Sequence, residues 1–451
     1  MLPDRGAQPG ALSRVVLLGA LILMLSMGVR ATAGIFMTPM LQEHGWSREF
    51  FSNVFALQNL AWGAGAILMG MLADRFGGGR AIALSAMLYA AGLIGTRFAS
   101  TTPELVVSFG LLVGVGQGGT TAALVMPMIS RAVSPMARSV SLGVANAGGS
   151  LGQFLVVPAG QLLIDVFDWH AALLILSASI ASIVPLALLM AGLRRPGAAK
   201  TGAASAGAAP AGAAPAGAAP AGSAASSLQS APAASEAVPS LWGAICDAFR
   251  QRSFALLAGS YFVCGFQLAF ITLHLPAYLL DNGMSARHGA MAIATIGLFN
   301  VIGSFLVGWL GSRYSNKMLL GWIYALRAVF VVQLLLMPVS PFSLYLFSAG
   351  TGLLWLSTVP LTMGLVGQIF GLRFAATLGG FVFLSHQIGS ATGVWLSGRS
   401  FAASGSYDTM WFASIALALM AAALAWMIDE RPDRGRTRPV EAFEPQRAAS
   451  G

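Results

Sequence analysis

Twelve stretches of mostly apolar residues recur along this chain, at 14–40, 50–73, 81–99, 104–130, 138–163, 169–193, 253–280, 288–312, 318–338, 342–370, 374–398 and 408–428. A helix needs about 20 such residues to cross the hydrocarbon of a bilayer. Backbone inside hydrocarbon must also satisfy its own polar groups. Runs this long do so as helices, whereas a closed barrel would alternate apolar and polar residues over strands of roughly 10. The pattern predicts an all-α membrane protein with twelve transmembrane helices. Only 9% of the residues are charged, against 56% hydrophobic, while a soluble domain carries about 25% charged residues.

The basic residues orient these helices. Arg48, Arg97, Arg287 and Arg399 fall on one side of the membrane, and Arg30 and Arg327 fall within spans. Every other Lys and Arg lies in a terminus or an even-to-odd loop. Cytoplasmic segments carry the excess of Lys and Arg, so both termini are expected in the cytoplasm. This asymmetry accounts for the net charge of +9, and no nucleic-acid partner is needed to explain it. The first apolar run is too long for a signal peptide, and eleven more follow it. Cys246 reads as cytoplasmic and Cys264 as lipid- or core-facing, so no disulfide is expected. The chain has no nucleotide loop, nucleophile motif or metal-ligand cluster. It is therefore not expected to be an enzyme, to hold a cofactor or metal, or to be driven directly by ATP.

Four segments follow: a six-helix bundle over 1–194, a linker over 195–240, a second six-helix bundle over 241–430 and a tail over 431–451. The linker repeats Gly-Ala-Ala-Pro-Ala from Gly207, Gly212 and Gly217. It offers no large side chain to bury and is expected to be a disordered, flexible cytoplasmic linker. Trp242 to Arg252 reads as a short amphipathic approach to span seven at the inner surface.

A Gly-rich block with an acid and two arginines joins spans two and three: Gly70-Met71-Leu72-Ala73-Asp74-Arg75-Phe76-Gly77-Gly78-Gly79-Arg80. It resembles the loop between the second and third helices of major facilitator superfamily transporters, roughly G-x-x-x-D-R-x-G-R-R. Gly78 and Gly79 stand where that loop usually has basic residues. The resemblance implies the major facilitator fold, two pseudosymmetric six-helix bundles around a central cavity. Gly308-Trp309-Leu310-Gly311-Ser312-Arg313 echoes the block after span eight, with Arg313 matching Arg75 and Ser312 replacing Asp74. Such an echo implies parallel halves related by an axis along the membrane normal. Gly70, Asp74, Arg75, Gly77, Arg80, Arg138 and Arg313 are assigned to a conformational motif. In it, Asp74 is expected to stabilise one conformation through a charge contact with a helix end near Arg138. The simpler reading is a turn that only sets topology. In span five, Gly143, Gly148, Gly149 and Gly152 recur at helical spacing, as close helix packing requires. The G-x-x-x-G-P-x-x-G-G pattern of many drug–proton antiporters of the superfamily is missing.

Ionisable groups inside a bilayer are costly and usually functional. None of the sixteen Asp and Glu falls deep in a span, so proton coupling through a buried carboxylate is not expected. The remaining candidates are cations, imidazoles and amides. Arg30, in the outer half of span one, offers a fork of donors suited to a carboxylate, and its other readings are snorkelling to the outer interface or pairing with a helix C-terminus. His386, beside Gln387 in span eleven, can donate, accept or titrate, and its other reading is a satisfied structural histidine. His274, just before Pro276 in span seven, is weighed against a structural or gating role. Gln117 and Asn300, in spans four and eight, could bind a solute or hold helices together. Arg327, in span nine, is read as structural, because the resemblance puts that helix outside the cavity.

The chain also resembles bacterial members of the monocarboxylate transporter family. The likeness rests on Arg30-Ala31-Thr32-Ala33-Gly34-Ile35-Phe36 with Pro39 and Gly45-Trp46-Ser47-Arg48. It includes Ala137-Arg138-Ser139 and the glycines after it. It also includes Phe383-Leu384-Ser385-His386-Gln387-Ile388-Gly389-Ser390 with Gly405-Ser406-Tyr407-Asp408. It implies a carrier of small carboxylates in a bacterial inner membrane, working by alternating access and often coupled to protons. Eukaryotic members carry an Asp and, four residues later, an Arg in span eight. The matching positions here read Asn300 and Ser304, which shifts anion binding toward Arg30. The expected substrate-binding set is Arg30, Gln117, His274, Asn300, His386 and Gln387. The protein is expected to be a monomer in the lipid bilayer, with a small organic anion and protons as its partners. An exporter of amphipathic or drug-like compounds is the alternative, and a solute-sensing membrane protein a more distant one.

Overall fold

The structure, a computed structural model, describes residues 9–193, 241–371 and 375–431. The linker 195–240 and the tail beyond Arg431 lie outside the described residues. Every regular element among the described residues is a helix. Span one is Pro9–Ala31 continued by Ala33–His44. Spans two to six are Arg48–Phe76, Gly78–Phe98, Thr102–Ala132, Pro135–Val166 and Trp169–Gly192. Spans seven to twelve are Arg252–Asp281, Ala286–Gly311, Asn316–Leu336, Pro341–Phe370, Ala375–Ser404 and Asp408–Trp426. Among the described residues, 11 helices are long and apolar enough to cross a membrane. Span eleven is not one of them. It is 30 residues long but carries Ser385, His386, Gln387, Ser390 and Ser397, so its polarity rather than its length sets it apart. A separate short helix, Leu241–Arg250, precedes span seven, with Ala248 buried and Phe249 exposed.

The turns follow from local chemistry. The Ser47 hydroxyl accepts from the Phe50 N–H and caps span two. Span two ends at Gly77, whose φ of +93° suits glycine and whose N–H returns to the Ala73 carbonyl. The next two glycines have a packing reason. A Cβ on Gly78 would lie 2.8 Å from the Met128 sulfur, and one on Gly79 would lie 2.8 Å from the Ala187 carbonyl oxygen. Span three starts pressed against spans four and six, with no room for long basic side chains.

An internal repeat is visible in matched residues. Gly28 and Gly265, Pro39 and Pro276, Thr121 and Thr358, and Gly152 and Gly389 pair at one constant offset. The pairs do matching work. A Cβ on Gly28 would meet the Gly152 carbonyl at 2.8 Å, and one on Gly148 the Ala20 carbonyl at 2.5 Å. In the other half Gly265 lies on the His386 carbonyl and Gly389 on the Phe262 carbonyl. Span five therefore lies backbone to backbone on span one, as span eleven does on span seven. In the glycine series of span five, Gly148 and Gly152 make this contact, while a Cβ on Gly143 would meet open space.

Spans four and ten both break mid-membrane, at Thr120–Thr121 and at Trp355–Ser357. Carbonyls freed inside a bilayer need other donors. In span four, Thr120 donates to the Gln117 carbonyl and Thr121 to the Gly118 carbonyl. In span ten, Arg327 Nη2 donates to the Leu354 carbonyl at 2.7 Å and to the Trp355 carbonyl. Arg327 is 3% exposed and acts as a clamp across the break.

The halves meet along three seams. Gly34 of span one lies on the Thr272 and Leu273 carbonyls of span seven. Gly297 of span eight lies on Gln153 and Phe154 of span five, and Gly398 of span eleven on Ser52 of span two. Two ion pairs cross between the halves, Arg48 with Asp281 and Arg287 with Asp165. Both lie at the end opposite the Gly70–Arg80 turn. Among the described residues no ion pair joins the halves at the turn end.

Candidate functional site

Arg30 ends the first segment of span one, where the helix breaks at Thr32. Its guanidinium carbon sits 4.4 Å from the centre of the Trp62 ring. A desolvated cation over an indole gains about 2 kcal/mol. Its Nη2 donates to Asn59 Oδ1 at a long 3.5 Å. Among the described residues Arg30 has no carboxylate partner. Every described Asp and Glu lies in a terminal turn of a helix or between helices. An unneutralised cation with forked donors in the bilayer has the chemistry to bind an anion.

The walls around Arg30 come from its own half. Tyr89, Gln117, Gln58, Thr96, Phe36 and Phe109 line a small cavity with it, about 20 Å³, which is the room one buried water needs. Gln117 Nε2 donates to the Tyr89 hydroxyl at 3.3 Å, and Gln58 Nε2 donates to the Phe109 carbonyl at 2.9 Å. These bonds hold both amides in place.

The second half closes the site through span eleven. Trp62 meets Phe383 edge to face, 5.8 Å between ring centres. Phe383 stacks on His386 at 5.9 Å, and Tyr261 lies 4.9 Å from the same imidazole. His386 Nδ1 is 3.1 Å from Gln387 Oε1, and Gln387 Nε2 donates to the Asn59 carbonyl at 3.1 Å. Asn59 thus serves both halves, with its side chain toward Arg30 and its carbonyl toward Gln387. The structure brings Arg30, Gln117, His386 and Gln387 into one connected group.

His274 and Asn300 belong elsewhere. His274 lies beside the Arg48–Asp281 pair, which acts as a latch between the halves, with Nε2 3.3 Å from the Ser52 hydroxyl and Nδ1 2.9 Å from the Tyr407 hydroxyl. Arg48 reaches Asp281 with both terminal nitrogens, Nη2 to Oδ1 at 2.7 Å, and lies 4.2 Å from the Phe401 ring centre. Burial pushes the Tyr407 phenol up to about 12, so it stays protonated and can donate throughout the neutral range. His274 is part of this closure. Asn300 Nδ2 donates to Ser150 Oγ at 2.7 Å, and its Oδ1 accepts from the Leu356 N–H at 3.0 Å. An amide there ties spans five, eight and ten together, with both ends of the side chain in use.

The conformational motif is exposed. Asp74, Arg75, Arg80, Arg138 and Arg313 all face outward. Arg75 lies over Phe76 and Arg313 over Trp309. Among the described residues no ion pair joins Asp74 to Arg138. The contact expected there is not made in this state, because the ion pairs that hold the halves together lie at the other end.

Reading the sequence overlooked Trp62 and Tyr89, and assigned Arg48, Asp281 and Tyr407 no function. Trp62 had one available signal, since it lies three positions after Asn59 and so shares its helix face. Tyr89 had none, because its partner Gln117 comes from another span.

Comparison with known proteins agrees with this architecture. The human protein named monocarboxylate transporter 12 is 24% identical over 385 residues, covering 82% of this chain and 70% of that one. The 4-hydroxybenzoate transporter PcaK of Pseudomonas putida is 27% identical over 324 residues, 70% of each chain. The uncharacterised transporter YcxA of Bacillus subtilis is 22% identical over 81% of this chain and 82% of that one. A solved bacterial homologue of the human lysosomal transporter Spinster, inward-facing and unoccupied, superposes with a TM-score of 0.65 at 16% identity. The match covers 94% of this chain and 98% of that one, and shows a shared fold. The Major Facilitator Superfamily model matches residues 19–394 and 257–450. With that match spanning both helix bundles, the chain belongs to the Major Facilitator Superfamily of membrane transporters, and it is not an enzyme.

Proposed function

We propose that this transporter carries a small organic anion, a monocarboxylate, by alternating access. One observation carries the reading: Arg30 is a guanidinium inside span one with no carboxylate partner among the described residues, held by a ring and one long hydrogen bond. A substrate carboxylate would replace the Asn59 contact with shorter, charge-assisted bonds. Trp62, Phe383 and Tyr261 would pack on its apolar body. Two relatives, named for monocarboxylates and for 4-hydroxybenzoate, support the same class.

The distribution of Lys and Arg supports cytoplasmic termini in a bacterial inner membrane. The latch of Arg48 and Asp281 would then lie on the outer side and the site would open to the cytoplasm. Rocking of the halves about the Asn59–Gln387 contact would break the latch and close the turn end. There Asp74 would find its partner near Arg138.

The test is uptake of labelled acetate, pyruvate, lactate, benzoate and 4-hydroxybenzoate into proteoliposomes, beside the uncharged amides of the same bodies. The reading expects at least one acid to enter and its amide to be refused. Equal movement of acid and amide would favour a carrier of neutral amphipathic compounds. No movement of any acid would end the monocarboxylate reading.

A further inference from the structure

We propose that the second half holds a binding site for one water molecule, bonded to Gln267, Arg327 and Thr351 and tying spans seven, nine and ten into one unit. The inference is independent of what the protein carries. A buried cavity of about 10 Å³ lies between these three spans, with Gln267, Arg327, Thr351 and Trp355 in its wall. Three of these residues each hold one buried polar atom with no hydrogen-bond partner among the described residues: Gln267 Oε1, Arg327 Nε and Thr351 Oγ1. Their exposures are 2%, 3% and 3%, so bulk solvent does not serve these atoms. Buried polar groups are bonded in nearly every folded protein, and three without a partner around one cavity point to a shared partner inside it.

The other bonds of these side chains define what each atom offers. Gln267 Nε2 donates to the Ser414 carbonyl and to the Ser414 hydroxyl of span twelve, both at 3.1 Å. The amide oxygen is left as an acceptor. Arg327 Nη2 donates to the Leu354 and Trp355 carbonyls, and Nη1 donates to Cys264 Sγ at 3.5 Å. The Nε–H is left as a donor. A threonine hydroxyl inside a helix can return to the carbonyl one turn back, as Thr96 does to Gly92 and Thr295 to Met291. Thr351 makes no such bond, and its hydroxyl can donate or accept.

Size and polarity select the occupant. A cavity of roughly 10–15 Å³ holds one water, and a buried water makes about three hydrogen bonds. Here the water accepts from Arg327 Nε–H, donates to Gln267 Oε1 and shares a third bond with the Thr351 hydroxyl. A metal cation would face the positive guanidinium. A halide would face the amide oxygen, an acceptor that repels it. An organic group exceeds the room available.

The internal repeat shows what this site does. Gln267 stands at the Arg30 position, at the same offset that pairs Gly28 with Gly265 and Pro39 with Pro276. The Arg30 cavity has walls from spans one, three and four, and this one from the matching spans seven, nine and ten. In the first half the cation comes from span one and has one long hydrogen bond. In the second it comes from span nine, and the water engages the last of its three nitrogens. Arg327 is thereby fully committed to the protein, and the equivalent cavity of the second half is structural. Through Gln267 and Ser414 the same network reaches span twelve, so four spans move as one body.

The first experiment is a cryo-electron-microscopy map of the full chain in lipid nanodiscs, at a resolution that shows ordered water. One isolated peak is expected at hydrogen-bonding distance, about 2.7–3.2 Å, from Arg327 Nε, Gln267 Oε1 and Thr351 Oγ1 together. An empty cavity in a map that shows other buried waters would overturn the proposal. So would side chains turned to bond each other directly.

The second is a double-mutant cycle read by thermal unfolding in detergent. Thr351→Val keeps the shape of the side chain and removes the hydroxyl. Gln267→Leu removes the amide. No hydrogen bond joins Gln267 to Thr351 among the described residues, so the two are coupled through the partner they share. Each single variant is expected to lower Tm, and the double variant to lower it by clearly less than the sum. An unchanged Tm in Thr351→Val, or a double variant that falls by the full sum, would overturn the shared water. Neither experiment uses a substrate, so both outcomes stand whether or not the protein carries a carboxylate.

Discussion

Trp62 and Phe383 meet edge to face across the seam between the halves, 5.8 Å apart. One carries the Arg30 guanidinium and the other the His386 imidazole. Two titratable or charged groups from opposite bundles therefore rest on one aromatic contact. Any movement of the halves along this seam alters both at once.

Removing the guanidinium tests the anion site. Arg30→Gln keeps a polar side chain near Asn59 and removes the charge. Hydrogen bonds to charged groups contribute about 1.5–3 kcal/mol, so benzoate affinity should fall roughly tenfold to a hundredfold. Arg30→Lys should recover only part of it, since an ammonium lacks the planar fork. Calorimetric titration in detergent checks both variants. Unchanged affinity in Arg30→Gln would remove Arg30 from the site.

The latch should bias the conformational equilibrium. Arg48 and Asp281 are partly exposed, 20% and 36% for the side chains, so their pair is worth about 1 kcal/mol at most. Asp281→Asn should shift the population toward the state open at the latch end by up to about fivefold, less at high salt. Distances between spin labels at the ends of spans one and seven would report it.

The phenol of the latch should be insensitive to neutral pH. Tyr407 has its pKa raised to about 12 by burial, above the free value of about 10. A raised value means the protonated form is favoured in the folded state. Its contribution is complete below about pH 10 and is lost as pH rises through about 12. Tyr407→Phe should therefore shift the same label distances equally at pH 6 and pH 8.

Arg327 should be a stability residue. Replacing it by Met leaves the Leu354 and Trp355 carbonyls without their donor. Each unsatisfied buried group costs about 1–3 kcal/mol. Thermal unfolding in detergent should show a large fall in Tm for Arg327→Met. Arg327→Lys should fall less, keeping one of the two bonds.

Glycine packing has an internal control. A Cβ at Gly389 would press on the Phe262 carbonyl, while one at Gly143 would meet nothing within 4 Å. Gly389→Ala should destabilise by about 1–3 kcal/mol, the usual cost of overpacking. Gly143→Ala should be neutral or slightly stabilising, because glycine is a poor helix residue. Equal effects at the two sites would contradict the backbone contact between spans seven and eleven.

Much of this protein was legible in its residues. Apolar runs of spanning length determined an all-helical membrane fold, because backbone in hydrocarbon has no other partner. The repeated Gly and Arg blocks pointed to two halves. Arg30 and His386 stood out because charged and titratable groups in a bilayer are expensive. Gln117 and Gln387 lie with them, whereas His274 and Asn300, expected in the same set, lie apart from them. Tertiary structure decided the rest. It put His274 in a latch with Tyr407, spent both ends of Asn300 on holding three spans together, and set Cys264 between Arg327 and Thr358. Sequence spacing gives the face and depth of a residue on its own helix. Which helices turn those faces toward each other is settled by packing between spans far apart in the chain, here by glycines that let backbones touch.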